Sequence, residues 1–355
     1  IERAVGLDAL VKMLQSIKVD IDEEDEEIEE ETACMRLAIL LQTCVQNHDS
    51  PAFALVHDKL GDEEHRLTTH LLDPGVVSGG LLDECRGAVM MSGTLFPPQM
   101  YYDLLKVPED RVSIVKEYTS HFLTERRPVL IAKDVTSRYA ERGEENTARI
   151  REHIHSVLRE TPGHVAVFAP SYAMLEQIVL EDDDWIVRSR QLLEERSGAS
   201  KEEMDRMVGK LHQLRRSKTP ALLAGVLGGK LAEGVDYPEN ILDAVVCIGL
   251  PLPPPSARQD ALKDYYEDSY GSARAWRYAS SQPAVNRLMQ ALGRPIRKAA
   301  DRALVVMLEK RLMQRGFKIC MPDGVHVVES VDSNRTARHT KRFFKKYPDP
   351  ARHSE

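Results

Sequence analysis

Long hydrophobic runs are absent from this chain of 355 residues. No apolar stretch approaches the ~20 residues that a membrane-spanning helix needs, and the opening Ile1-Glu2-Arg3-Ala4 lacks the apolar core of a signal peptide. The sequence therefore predicts a cytoplasmic protein, nuclear in a eukaryote, with no membrane partner. A chain that begins with Ile suggests processing or excision from a longer one. Cysteine is scarce and unpaired: residues 34, 44, 85, 247 and 320 are odd in number and contain no Cys-x-x-Cys. That excludes a readable disulfide framework or zinc site and predicts reduced, structural thiols, with no metal site in the chain. Also absent is any Gly-Lys followed by Ser or Thr, so there is no phosphate-binding P-loop.

Charge is present but uneven. The formal net charge is −8, yet residues 20 to 31, DIDEEDEEIEEE, hold ten acids and no base, leaving +2 for the rest. Such a block predicts a solvated linker. Near the other end Arg335, Arg338, Lys341, Arg342, Lys345 and Lys346 place six bases within twelve residues, which fits either a phosphate-contacting helix or a solvated C-terminal one. With 42% hydrophobic and 29% charged residues the chain is globular, long enough for two domains.

Apolar residues at helical spacing predict amphipathic helices over 3–17 and 33–46, flanking the acidic run, followed by a short strand at 52–56. From about residue 76, short runs that are apolar throughout alternate with helical stretches. The runs lie at 88–91, 129–132, 165–168, 185–187, 222–226, 244–248 and 304–308; the helices lie near 98–106, 145–160, 171–180, 201–216, 257–268 and 282–298. This alternation predicts an α/β fold, a mostly parallel sheet with helices on both faces, with ligands beyond the carboxyl ends of its strands.

Four constellations follow that frame. Ser92-Gly93-Thr94 is a small hydroxyl-rich turn after an apolar run, suited to a close backbone approach. At Pro170-Ser171-Tyr172 a strand gives way to a helix whose first turn favours an anion, with an aromatic ring able to stack on a base. The loop LLAGVLGGKLAEGVDYP (222–238) gathers Gly228, Gly229 and Gly234 with Lys230, Glu233 and Asp236, a density suited to a nucleotide edge. In QALGRPIR (290–297), Gln290, Arg294 and Arg297 share one face if the segment is helical, and two guanidiniums match a transferring phosphoryl group; Pro295 argues against an uninterrupted helix. Asp62-Glu63-Glu64-His65 imitates a magnesium-holding DEAH box but follows Lys59-Leu60-Gly61, not an apolar strand, and is read as a decoy.

In this order, VMMSGTLFPPQMYYDLL, FAPSY, GGKLAEGVDYP, VVCIGLPLPPPS and QALGRPIRKAADRALVVMLEKR resemble the second RecA-like motor domain of the XPD family of superfamily 2 DNA helicases, over roughly residues 68–312. The resemblance implies three regions: 1–67, a helical segment with the acidic linker, left from the exit of the family's arch domain; 68–330, the second RecA-like domain; and 331–355, a basic C-terminal helix or tail. It implies Ser171, Tyr172 and Lys230 on single-stranded DNA, Gly229, Glu233, Gly234 and Asp236 between nucleotide and DNA, and Gln290, Gly293, Arg294 and Arg297 on ATP. Arg297 would be the arginine finger and Arg294 its companion, while Ser92, Gly93 and Thr94 would couple the domains.

The same resemblance implies what this chain does not hold. The first motor domain, with its phosphate-loop lysine and its carboxylates for Mg²⁺, and the 4Fe-4S cluster of the family would lie elsewhere, and ATP would be shared with that domain. The expected activity is 5′ to 3′ unwinding in nucleotide excision repair, with this chain nearly inert as an ATPase on its own and with repair or transcription proteins as partners. Two other readings stay open: half of a DinG-like iron-sulfur helicase, or a non-enzymatic scaffold that recruits partners through its acidic and basic segments.

Overall fold

The computed structural model describes residues 6–17, 33–61, 64–181 and 189–348; the acidic run 20–31, the apolar run 185–187 and the last seven residues lie outside these. Its contacts divide the chain into two units.

One unit comprises the residues up to 89 together with 102–113 and 254–279. Helices α1 (Leu7–Ser16) and α2 (Ala33–Asn47) pair, as their apolar spacing predicts. An antiparallel ribbon follows, β1 (Phe53–Lys59) against β2 (His65–Leu71), with Phe53 opposite Leu71 and Lys59 opposite His65. The Asp62–His65 imitation of a DEAH box therefore runs into a ribbon strand; Asp62 and Glu63 themselves lie outside the described residues. Helix α3 (Gly75–Glu84) starts where the buried Asp73 carboxylate accepts the Gly75 N–H at 2.8 Å. The Tyr265 hydroxyl, on α8 (Ala257–Tyr270), donates to the same carboxylate at 2.5 Å, and Lys106, just past α4 (Pro98–Leu104), pairs with it.

The other unit, residues 90–101, 114–253 and 280 onward, is built on a seven-stranded sheet in the order β5-β6-β4-β7-β8-β3-β9, every pairing parallel. The strands are β3 (Val129–Ala132), β4 (His164–Ala169), β5 (Gln191–Glu194), β6 (Ala221–Val226), β7 (Leu242–Ile248), β8 (Leu304–Leu308) and β9 (Val327–Ser330). Five of them are buried along their whole length, which is why they read as unbroken apolar runs. Their alternate residues feed two cores. Ala166 and Phe168 join Met204, Val208 and Leu211 of α7 (Lys201–Arg216) and Val285, Leu288 and Leu292 of α9 (Gln282–Gly293). Val165, Val167 and Ala169 join Ile150, Ile154 and Val157 of α5 (Glu144–Glu160) and Phe343 and Phe344 of α10 (Ser333–Lys346). Each fully buried Val, Leu or Ile contributes roughly 1.5–3 kcal/mol, so this double core carries the unit's stability. Cys247 sits in β7, and burial pushes its thiol up to about 12, leaving a structural, unreactive group.

Two local expectations are corrected, and two edge strands are added. The run 88–91 forms no strand; Val89 and Met91 are 87% and 88% exposed. Without a neighbouring strand, an apolar run has no ladder to join. The helix expected over 282–298 stops at Gly293, two residues before the proline that cannot continue it. The edge strands β5 and β9 were not foreseen, since edges are only half-covered and carry weak apolar signals.

Candidate functional site

At the carboxyl end of β4 the chain turns through Pro170 into α6 (Tyr172–Leu175), which continues as a wider turn over Glu176–Leu180. Ser171 is its N-cap, its hydroxyl oxygen accepting the Met174 N–H at 3.3 Å, and the hydroxyl hydrogen remains for another acceptor. Tyr172 keeps 37% of its surface exposed. Burial of the remainder, with the Glu195 charge nearby, raises its phenol above the ordinary value, so the ring stays neutral near pH 7.

The glycine-rich loop leaves β6 and is tied down at its start by the Leu227 N–H on the Ala169 carbonyl, 2.8 Å. Its amides converge on a group of the chain itself. The buried Glu195 carboxylate, just past β5, accepts from the backbone N–H of Lys230 at 2.7 Å, Val226 at 3.3 Å and Leu231 at 3.4 Å. A Cβ at Gly229 would stand 2.7 Å from both Glu195 oxygens, which is why glycine is needed there. The expected phosphate-type cradle is thus filled by an internal carboxylate. The Lys230 ammonium reaches the Ala199 carbonyl at 2.5 Å, and buried Tyr237 donates to the Leu231 carbonyl at 2.9 Å. Glu233, Gly234 and Asp236 stay exposed.

The arginines of 290–297 close on this loop. The Arg294 guanidinium donates to the Val235 carbonyl at 2.9 Å and to that of Glu233. Arg297 pairs with Asp236, both side chains partly in solvent. Because α9 ends at Gly293, the two arginines reach the loop from a turn; Asn240, whose amide nitrogen donates to the carbonyls of Pro295 and Arg302 at 2.7 and 2.9 Å, fixes that turn. Gly293 has open space where a Cβ would stand.

Gln290 lies on a polar stripe of α9 that repeats every four residues. Gln282 donates to Asn286 at 2.9 Å, Asn286 donates to the Phe96 carbonyl at 2.9 Å and to the Tyr101 hydroxyl at 3.0 Å, and Gln290 donates to the Thr94 hydroxyl at 3.4 Å. Thr94 is joined in turn to Ser92, whose hydroxyl lies 3.3 Å away and accepts the Thr94 N–H at 3.2 Å. Gly93 between them is exposed. The structure therefore joins the Ser92–Thr94 turn to Gln290, and the glycine-rich loop to Arg294 and Arg297. No described hydrogen bond joins Ser171 or Tyr172 to either set.

Two positioning groups escaped the motif reading. Glu195 carries no local signature, because its partners follow it by more than thirty residues. Glu309, fully buried beyond β8, accepts from the Thr136 hydroxyl at 2.7 Å, the Ser137 N–H at 2.9 Å and the Arg311 guanidinium at 2.7 Å. Burial pushes its carboxyl up, but Arg311, Ser137 and Thr136 outweigh that and hold it below the ordinary range. Gly249, at φ +66°, lets β7 pass directly against Ser137.

Residues 154–326 match the family model of the helicase C-terminal domain. The matched stretch is just under half of the chain. The chain is 22% identical to the ATP-dependent DNA helicase DDX11 of Danio rerio, over 96% of this chain and 40% of that protein. It is 25% identical to the ATP-dependent DNA helicase CHL1 of Meyerozyma guilliermondii, over 84% of this chain and 39% of that one. It spans about two-fifths of the length of these relatives. Solved structures of an XPD helicase and of apo XPD superpose with TM-scores of 0.58 and 0.60 at 20% identity, each over 84% of this chain and over 51% and 58% of theirs. The sheet is accordingly RecA-like, with helices preceding it.

Among the described residues no three His, Cys, Asp or Glu side chains stand together as a ligand set, and Cys247 and Cys320 are buried.

Proposed function

We propose that this chain is the second motor domain of an ATP-dependent 5′ to 3′ DNA helicase of the XPD type that serves nucleotide excision repair, working in the nucleus of a eukaryote or the cytoplasm of a prokaryote. The observation that carries the proposal is the seating of Arg294 and Arg297 on the loop 233–236. The sequence holds no Gly-Lys-Ser/Thr loop to grip ATP, so these arginines act on a nucleotide gripped by the first motor domain of the same helicase, and the chain alone turns over little ATP. Arg297 is the finger. Its exposed pair with Asp236 is worth only ~0–1 kcal/mol, so exchanging that carboxylate for a γ-phosphate oxygen costs little. Arg294 is held by two backbone carbonyls and keeps the loop and the turn together. Gln290 and Gly293 complete the nucleotide edge, and Gln290 passes its state to Ser92, Gly93 and Thr94 at the facing domain.

Single-stranded DNA is gripped at Ser171 and Tyr172, with the exposed ring stacking on a base, and at the rim of the loop that carries Gly229, Lys230, Glu233, Gly234 and Asp236. Moving the arginines off the loop would change its grip, which couples hydrolysis to translocation. The test is fluorescence anisotropy of a labelled single strand at two salt concentrations, with the wild-type chain beside Tyr172→Ala. Salt-dependent binding weakened by about 1–3 kcal/mol in the variant is expected for a stacked base. Absence of binding even at low salt would overturn the grip and favour a scaffold that recruits repair or transcription proteins.

A further inference from the structure

Helix α10 has two faces of opposite character. Thr336, Thr340, Phe343 and Phe344 are buried against the unit, the two rings meeting edge-on with centroids 5.0 Å apart, and the helix packs along α5. The start is fixed by Asp332, whose carboxylate accepts the Arg335 N–H at 2.7 Å. Arg335, Arg338, Lys341, Arg342, Lys345 and Lys346 are all exposed, and no acid lies within the helix. At 100° per residue, five of the six (all but Lys341) fall within an arc of roughly 100° facing away from the buried side. Among the described residues only Lys346 has an acidic partner, Glu125, at 4.0 Å and largely in solvent. His339 registers the field: burial, then Arg335 and Arg342, depress its basicity.

We propose that this face is a second nucleic-acid contact, binding the phosphodiester backbone without reading sequence. A rigidly mounted helix presents the cations at fixed spacing. From Arg335 to Lys345 the rise is ~15 Å at 1.5 Å per residue, the length of four or five phosphates at ~3.4 Å each. Mobile tails carry charge too, but they are not anchored by two buried phenylalanines; here the side that would be free to fold back is already occupied by the core. Charge complementarity selects a polyanion, and a nucleic acid is the polyanion that the proposed helicase meets; to that extent the inference rests on the proposed function. Tyr172 and its stacking are not needed for it.

The experiment titrates the wild-type chain, Tyr172→Ala and the triple variant Arg335→Gln/Arg338→Gln/Arg342→Gln against labelled oligothymidylate and against a blunt duplex, across a salt series. The expected result for the triple variant is a slope of log affinity on log salt shallower by about 2 on the single strand, or about 2.7 on the duplex, from three lost phosphate contacts. Whichever nucleic acid shows that change is the one contacted. Unchanged slopes on both overturn the proposal, as does tighter binding to polyglutamate than to either nucleic acid. Weakening by Tyr172→Ala alone overturns the helix face and leaves the proposed function standing, while weakening by the triple variant alone supports the helix face and removes the stacking grip. A thermal melt of the triple variant matching wild type shows that the fold is intact.

Discussion

Two sets of cations in this molecule are held in opposite ways. Arg294, Arg297 and Arg311 each rest on an acceptor of the chain: carbonyls of the glycine-rich loop, Asp236, and buried Glu309. The bases of α10 share their helix with buried aromatic rings, yet five of the six face water with no acidic partner among the described residues. The difference teaches where charge organises the protein and where it is offered to something else. A guanidinium committed to a carbonyl or carboxylate positions a loop, and its loss is felt in folding or chemistry. An uncommitted one contributes little to the fold because a solvated charge has nothing to lose.

The sharpest break in the comparison comes from Arg297→Ala in the complete helicase. DNA-stimulated ATP turnover should fall by ~10³-fold or more, the measured worth of an arginine finger, while urea melts of this chain shift by no more than ~1 kcal/mol because the Asp236 pair is exposed. Turnover within tenfold of wild type would remove the finger from this position.

Next is Glu309→Ala, which leaves Arg311 and the hydroxyls of Thr136 and Ser137 without their shared acceptor. A destabilisation of about 3–5 kcal/mol is expected on denaturant unfolding. The folded carboxyl is held below its ordinary value of 4.5. As pH falls through that value, the unfolded chain takes up a proton that the folded one still resists. The stability due to Glu309 is therefore fully present above it and drains away below it, and the variant should show a flatter decline in acid than wild type.

Smaller effects centre on Glu195. Removing it as Glu195→Ala strands three loop amides, at about 1–3 kcal/mol. Gly229→Ala should be destabilising in the wild-type background, where the new methyl meets both carboxylate oxygens and a Val226 methyl, and less so in the Glu195→Ala background, where only the Val226 methyl at 2.8 Å stands in its way. A double-mutant cycle that came out additive would deny that the two groups touch. The smallest stability effect belongs to neutralising Arg335, Arg338 and Arg342, which should stay within ~0.5 kcal/mol of wild type on thermal unfolding. A larger loss would place those bases in the first set rather than the second.

Much of the fold was legible because its central strands are buried on both faces. Val165 to Phe168, Leu222 to Val226 and Ala244 to Ile248 need no alternation when both sides meet helices, so an unbroken apolar run marks each one. The run 88–91 has the same look and no strand beneath it, since composition records the wish for burial and not the partner that grants it. Gln290, Arg294 and Arg297 were picked out by residue type, yet the shared helical face imagined for them ends at Gly293; the turn anchored by Asn240 brings the arginines to the loop instead. Glu195 was illegible because it resembles any other glutamate until β5 and β6 pair and set it under the loop.

By itself the sequence determined the buried central strands, most of the helices between them, the run of bases near the C-terminus and the residue types of the motifs, because periodicity, burial runs and chemical identity are local properties of a chain. Only the tertiary structure decided which cations are committed and which are offered, that an internal carboxylate fills the glycine-rich cradle, and that Gln290 answers to Thr94. These are contacts between residues far apart in the chain, and a hydrogen bond depends on a separation of about 3 Å that no local pattern encodes.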